Sequence, residues 1–313
     1  MAKILITGGA GFIGSSLAER LINTTNHKVV IVDNLLTGDV RRLQNLKTDS
    51  FRFIKADCNN FQDISSVMLA FKFDYVFHYA AVVGVQRTLD NPKMVLEDIM
   101  GIKNILDLCK NTNVKRVFFA SSSEVYGEPI EHPQNEATTP LNSRLPYAVV
   151  KNVGESFLRS YKQEFDLDYT IFRFFNTYGP KQSTDFVMSK FIAAAKANED
   201  ITIYGDGQQS RTFCFIDDNI DACLSSFEHG HYINDTVNIG NDHEISILQL
   251  AEIILKVTGS HSKLVHLPAL KEGDMKKRKP DIGKMRKLLG RELVPVEEGV
   301  KRILDPGTIF YGK

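Results

Sequence analysis

Residues 3–33, KILITGGAGFIGSSLAERLINTTNHKVVIVD, decide how this chain folds. Lys3-Ile4-Leu5-Ile6-Thr7 is a short apolar run of the kind that forms a strand buried on both faces. Gly8-Gly9-Ala10-Gly11-Phe12-Ile13-Gly14 follows, and then a helical pattern through Leu17, Ala18, Leu21 and Ile22. Glycines at a strand-to-helix turn let backbone approach a pyrophosphate, and the helix N-terminus adds free N–H groups and positive potential. His27 to Asp33 is a second buried strand, with Asp33 lying 19 residues after Gly14. A carboxylate at that distance suits an adenosine ribose and repels a 2′-phosphate, which favours NAD over NADP.

The same rhythm continues outward. Phe51 to Asp57 is a third strand; its terminal Asp57 is placed either to meet an adenine edge or to cap the next helix. Asp74 to Ala81 is a fourth, and small residues at its end (Ala80, Ala81) would let a nicotinamide ribose or a diphosphate lie close. His78 has no partner at metal-ligand spacing and reads as a packed core histidine. After an amphipathic helix over residues 92–113 comes a buried strand through Val117, Phe118, Phe119 and Ala120. It ends in Ser121-Ser122-Ser123-Glu124. Pro146 then starts a helix carrying Tyr147 and Lys151 four residues apart, on one face. A phenol titrates near ~10 in water, and an adjacent cation favours its ionised form. Phenol, ammonium and hydroxyl at one strand end could draw a proton from an alcohol while a cofactor takes the hydride.

Leu167 to Arg173 is another strand. Strands alternating with helices predict an α/β fold, a doubly wound parallel (Rossmann) sheet with right-handed crossovers. Past residue 180 the pattern changes to a helix over 185–198, a strand over 201–204, a turn, a strand from Arg211 to Ile216, and a helix from Asp217. A strand near 237–240 returns to the main sheet, and Ser246 caps a helix over 246–258. We therefore expect residues 1–180 to form the cofactor domain and 181–313 mainly a smaller substrate-binding lobe, interleaved with it.

Composition narrows the rest. The chain has 313 residues, 43% of them hydrophobic, enough for a substantial core. Lys+Arg and Asp+Glu are both 38, so no global field argues for nucleic acid or a membrane surface. Cys58, Cys109, Cys214 and Cys223 show no C-x-x-C and no metal-ligand spacing, which suggests free thiols and no metal site. No apolar stretch reaches the ~20 residues of a membrane span. No signal-like segment precedes Ile4, so a cytoplasmic protein is expected.

TGGAGFIG (7–14), Asp33-Asn34, HYAA (78–81), SSSEVYG (121–127), YAVVK (147–151), RFFNTYGP (173–180), YGDGQQSRTF (204–213) and KRKPDI (277–282) together resemble the extended short-chain dehydrogenase/reductases that modify nucleotide sugars. The resemblance covers nearly the whole chain. It implies a nucleotide sugar across the carboxyl edge of the sheet and a tightly held NAD that takes a hydride from C4. Tyr147 would be the base on the 4-hydroxyl, Lys151 would lower its pKa and hold the nicotinamide ribose, and Ser122 would bond the same sugar oxygen, with Ser123 and Glu124 beside it. Gly8, Gly11, Phe12, Ile13, Gly14, Asp33, Asn34, Asp57 and Ala80 would line the NAD site. Asn176 and Arg211 stand where the family grips the substrate diphosphate, and Arg278 where a sugar carboxylate is faced.

The fate of the 4-keto sugar separates the members. Glu124 replaces the threonine of simple 4-epimerases, and Ser-Glu here resembles UDP-glucuronate decarboxylases and GDP-mannose-type dehydratases. KRKPDI resembles the decarboxylases most closely. Residues 82–87 (VVGVQR) resemble the epimerase loop instead, and Asp98 stands where many members have asparagine. Decarboxylation of UDP-glucuronate is the leading expectation. A 4-epimerase, a 4,6-dehydratase and a 4-dehydrogenase that releases the keto-sugar, UDP- or GDP-linked, are the alternatives; a non-catalytic nucleotide-binding protein is a remote one. Residues 186–191 do not reveal the base. In relatives, helices matching 92–113 and 147–165 pair two subunits, so a homodimer is expected, in a role such as polysaccharide biosynthesis.

Overall fold

β1 (Lys3–Thr7) shows why the sheet forms where it does: Ile4, Leu5, Ile6 and Thr7 are all fully buried. Such a strand needs neighbours on both edges and cover on both faces. A computed structural model describes residues 1–128, 130–269 and 278–311, and in it β1 pairs in parallel with β2 (Lys28–Asp33) on one side. Of the strands that follow in sequence, β3 (Phe51–Lys55) extends the sheet beyond β2, and β4 (Tyr75–His78) takes the other edge of β1. β5 (Arg116–Ser122) pairs in parallel with β4, and β6 (Asp168–Phe174) follows it.

The remaining strands are short: β7 (Thr177–Tyr178), β8 (Ile201–Tyr204), β9 (Ser210–Thr212), β10 (Cys214–Phe215), β11 (Asp235–Ile239), β12 (Glu244–Ser246) and β13 (Leu264–Leu267). The main sheet has seven strands in the order β11-β6-β5-β4-β1-β2-β3. Strand order reverses between β1 and β4, and ligands of such sheets lie outside the carboxyl ends at that point.

The helices are α1 (Phe12–Thr24), α2 (Phe61–Phe71), α3 (Val85–Asp90), α4 (Pro92–Asn111), α5 (Pro146–Phe165), α6 (Val187–Ala197), α7 (Ile216–Glu228), α8 (Ile247–Thr258), α9 (Gly283–Leu289) and α10 (Val296–Leu304). Among the described residues no helix is long and apolar enough to cross a membrane. α1 buries Leu17, Ala18, Leu21 and Ile22, the positions its period picks out. Ser246 caps α8 in a full capping box with Gln249.

The chain divides into two compact units. The first comprises Met1–Gly127, Leu141–Arg173 and Cys223–Val237; the second Glu128–Pro140, Phe174–Ala222 and Asn238–Lys313. An aromatic stack runs through the first unit, with Phe77 on Phe118 at 4.4 Å and the edge of Phe227 against both. α5 approaches β5 and α4 closely because residue 154 is glycine. A Cβ there would lie 2.4 Å from the Phe119 ring and 3.1 Å from Ile102 Cδ1. That contact sets where Tyr147 and Lys151 stand.

In the second unit the expected strand from Arg211 to Ile216 is broken into two. β9 pairs antiparallel with β12 and β10 pairs parallel with β7, so the chain changes sheets at Phe213. Residues 279–281 are tied into the second unit by Gln134. Its N–H donates to the Lys279 carbonyl, its carbonyl accepts from the Asp281 N–H (both 2.8 Å), and Asn238 Nδ2 donates to the same carbonyl at 3.0 Å. Lys276 and Lys277, at the start of the basic stretch, lie outside the described residues.

Candidate active site

The glycine turn is built for bare backbone. Gly8 has φ +66°, and a Cβ on it would meet the Ala80 nitrogen at 2.6 Å; a Cβ on Gly14 would lie 2.4 Å from the Gly8 carbonyl oxygen. Only hydrogen fits at either place. Thr7 ties the two strand ends together: its Oγ1 accepts from the N–H groups of Tyr79 (3.2 Å) and Ala80 (3.3 Å) and is hydrogen-bonded to His78 Nδ1 at 2.8 Å. Burial pulls the His78 pKa down to about 3, so this histidine is a neutral core residue. Gly11 caps α1 with no side-chain bond, and no acid sits in the first turn, so the helix end keeps its N–H groups for a ligand.

Asp33, at the end of β2, is nearly buried. Oδ1 accepts from the Leu35 N–H at 2.8 Å and Oδ2 from the Ala10 N–H at 3.0 Å. Burial pushes its carboxyl up against those donors and against the nearby Arg42 charge. Asn34 Nδ2 donates to Asp57 Oδ2 at 3.1 Å, so these two side chains form one pair. The cap of α2 is Asn60, which accepts from the Gln62 and Asp63 N–H groups, so Asp57 is not the cap of that helix.

The 3₁₀ turn Ser123–Tyr126 and the first turns of α5 supply the reactive groups. Ser122 Oγ accepts from the Glu124 N–H at 3.1 Å and caps the turn. Ser122 also hydrogen-bonds the Tyr147 phenol, favouring its ionised form. Lys151 is buried, its Nζ 5.7 Å from the Tyr147 ring centroid and 5.1 Å from that of Phe119. The sequence led us to expect the ammonium to lower the phenol's pKa; in the structure other effects lead. Burial first, and then the Glu124 carboxylate, hold the Tyr147 pKa above that of a free phenol, with the Ser122 bond opposing. Burial brings Lys151 down to about 8, and the Asp98 charge opposes it. Lys151 is therefore a cation at pH 7.

Sequence reasoning missed what holds this turn. Arg173 donates from Nε to Glu155 Oε1 (2.9 Å), from Nη2 to Oε2 (2.7 Å) and from Nη1 to the Tyr126 hydroxyl (2.8 Å). Ser121 Oγ donates to Glu155 Oε1 at 2.6 Å. Ser121 and Tyr126 thus bracket Ser122–Glu124 and lean on one buried ion pair. The available signal was that Glu155 lies four residues after Lys151, one turn along the same face. Arg42 was missed as well; its Nη1 donates to the Ala10 carbonyl at 3.2 Å, under the glycine turn.

Asn176, Arg211 and Arg278 lie in the second unit. Asn176 Nδ2 donates to the Thr212 carbonyl at 3.1 Å, which sets the amide beside β9. Arg211 is on β9 opposite Ile245, its Nη1 on the Ser210 carbonyl at 2.7 Å. Arg278 is 6% exposed.

A model of the NAD dependent epimerase/dehydratase family matches residues 4–240. The chain belongs to that family. It is 34% identical over 318 residues to UDP-glucuronic acid decarboxylase 1 of Xenopus tropicalis, covering 99% of this chain and 72% of that one. UDP-glucose 4-epimerase of Thermotoga maritima, solved with UDP-glucose, superposes with a TM-score of 0.90 at 30% identity over 97% of both chains. UDP-N-acetylglucosamine 4-epimerase of Methanobrevibacter ruminantium M1, in complex with UDP-N-acetylmuramic acid, gives 0.88 at 32%, again over 97% of both. The residues here suit the family's cofactor. The turn at Gly8, Gly11 and Gly14, with Phe12 and Ile13 between the last two glycines, could take the diphosphate. Asp33, Asn34 and Asp57 could hold the adenosine end, and Ala80, Tyr147 and Lys151 the nicotinamide end.

Proposed function

We propose that this chain, an NAD-dependent enzyme of the nucleotide-sugar epimerase, dehydratase and decarboxylase class, acts on UDP-glucuronate, oxidising C4 and releasing carbon dioxide. The observation that carries it is the Ser122–Tyr147–Lys151 set at the carboxyl end of β5, with Glu124 on the same turn. In the step we envisage, Tyr147 takes the proton of the 4-hydroxyl as the C4–H electron pair leaves as hydride. NAD, when bound, supplies the acceptor for that hydride. Ser122 holds the sugar oxygen, and the Lys151 charge favours the phenolate. A 4-keto glucuronate is a β-keto acid: the C5–C6 pair moves into the ring ketone, carbon dioxide leaves, C5 takes a proton, and return of the hydride to C4 restores the alcohol, so the net change is the loss of carbon dioxide alone. Asn176 and Arg211 would hold the diphosphate, where a planar cation suits two oxygens at once. Arg278, beside the anchored residues 279–281, would face the sugar carboxylate.

Residues 82–87 favour a second outcome, 4-epimerisation, in which the same oxidation is followed by hydride return to the other face. One experiment separates these outcomes: incubate the chain with NAD and a panel of nucleotide sugars and weigh the products. Loss of carbon dioxide from UDP-glucuronate supports our proposal. An unchanged mass with altered configuration supports the epimerase, and loss of water or of two hydrogens the dehydratase or dehydrogenase. No product from any sugar would overturn the enzymatic reading.

We also propose a homodimer. Leu96 and Met100, one turn apart on α4, are 43% and 52% exposed, an apolar strip that a second copy would cover. A single-chain mass by light scattering at micromolar concentration would refute it. The four buried thiols support a reducing, cytoplasmic location.

A further inference from the structure

Asp98 lies on α4, and both its oxygens are held. The Val82 N–H donates to Oδ2 at 2.7 Å, and Asn59 Nδ2 donates to Oδ1 at 3.3 Å. Asn59 is itself clamped. Its N–H donates to Asp57 Oδ1 at 2.8 Å, its carbonyl accepts from Asn104 Nδ2 at 3.3 Å, and a Cβ at residue 101 would meet its Oδ1 at 2.4 Å. The Asn59 amide nitrogen is thus turned toward Asp98, and the position presents one donor to each of two oxygens. That pattern suits a carboxylate, which accepts at both, better than an amide, which accepts at one.

Lys151 is the cation this carboxylate acts on: Asp98 stands four residues before Ile102 on α4 and Lys151 three before Gly154 on α5, and the two helices meet there, a Cβ on Gly154 lying 3.1 Å from Ile102 Cδ1. The opposite charges sense each other across that contact. The near neighbours of Lys151 are the neutral rings of Phe119 and Tyr147. A buried ammonium loses hydration, and an oxidised nicotinamide brings a further positive charge toward it; both effects favour losing the proton.

We propose that Asp98 is a positioning residue that works through Lys151: its negative charge, fixed by Val82 and Asn59, keeps the buried ammonium protonated while the oxidised cofactor is bound. The proposal rests on the C4-oxidation reading, in which Tyr147 is the base. Other charged or titratable groups face this cluster. The buried Cys58 thiol is held neutral by burial first and then by the Asp57 charge, with Asp98 adding to it. His78 on β4 is neutral and bonded to Thr7. Glu124 on the 3₁₀ turn acts on Tyr147. Asp57, after β3, opposes ionisation of Asp98, as burial does, whereas Lys151 and the two donors favour it. Removing one negative charge lowers the proton affinity of every neighbour, so the Tyr147 and Lys151 titrations must both move to lower pH.

The test is an NMR titration of the Lys151 side chain in the full chain with NAD bound, assigned with a Lys151→Met variant. In Asp98→Asn we expect the Lys151 midpoint to fall by about one pH unit. The pH profile of hydride transfer should move down with it, and Asp98→Glu should return both toward wild type. An unchanged Lys151 midpoint in Asp98→Asn would overturn the proposal. If that variant does not fold, the carboxyl titration of Asp98 in the wild type decides: ionised at pH 7 supports the proposal, protonated there refutes it. Lys151 is read without substrate. Failure of hydride transfer with every nucleotide sugar would therefore remove the C4 reading while leaving the Lys151 shift to be judged separately.

Discussion

Replacing Arg173 by methionine should destabilise the first unit and disable the turn at the end of β5. Arg173 is 2% exposed and Glu155 0%, so neither charge has water to fall back on. Arg173→Met deletes two charge-assisted bonds to Glu155 and one to the Tyr126 hydroxyl. Removing one partner of a buried pair costs about 3–5 kcal/mol. Ser121 and the partly exposed Arg159 still donate to Glu155, so we expect the lower end, about 3 kcal/mol. Urea unfolding followed by far-ultraviolet circular dichroism measures it. The double variant Arg173→Met/Glu155→Leu should cost less than the two single changes summed, by about 1–3 kcal/mol, because it strands no buried charge.

The pH dependence has a definite sign. Burial alone would raise the Glu155 carboxyl, but Arg173, Ser121 and Arg159 hold it below its ordinary 4.5. Its contribution is therefore complete above that unfolded value and is lost as pH falls through the depressed folded value. The gap between wild type and Arg173→Met should narrow in acid. Costs that add within about 0.5 kcal/mol would refute the coupling of Glu155 to Arg173.

Gly14→Ala should weaken NAD binding by about tenfold or more, read by calorimetry, since its Cβ would lie 2.4 Å from the Gly8 carbonyl and the turn must shift. Glu124→Gln removes a negative charge that raises the Tyr147 phenol, so the ascending limb of the rate–pH profile should move to lower pH; a move upward would contradict the assignment. Arg278→Ala should raise the KM for UDP-glucuronate by roughly ten- to a hundredfold, the worth of one charge-assisted bond, and leave binding of UDP-glucose nearly unchanged.

The sheet was legible in the sequence because its signals are local. Ile4–Ile6 and Val29–Val32 are continuous apolar runs closed by glycine or acid, and such runs have few other places to go. The Ser246 cap of α8 is likewise a four-residue pattern. What escaped reading is long-range or depends on burial. Arg173 finds Glu155 from 18 positions away and Tyr126 from 47, and no spacing rule joins them. Asp57 reads equally well as a cap until Asn60 is seen capping α2. Tyr147 and Lys151 were placed correctly on one helix face. Their proton affinities were not legible, because these depend on how deeply the α5 start is buried and on Glu124 and Asp98 arriving from other elements. The break at Phe213 was hidden for a related reason: Arg211 to Ile216 has a strand composition throughout, and only the partners β12 and β7 divide it.

The most direct test is rapid mixing of the NAD-loaded chain with UDP-glucuronate, following the absorbance of reduced nicotinamide in wild type and in Tyr147→Phe. We expect a transient of reduced cofactor in the wild type, and in the variant a fall in its rate of about 10²–10⁴-fold with NAD affinity retained. Equal rates in the two proteins would contradict the role of Tyr147 as the base that starts the reaction.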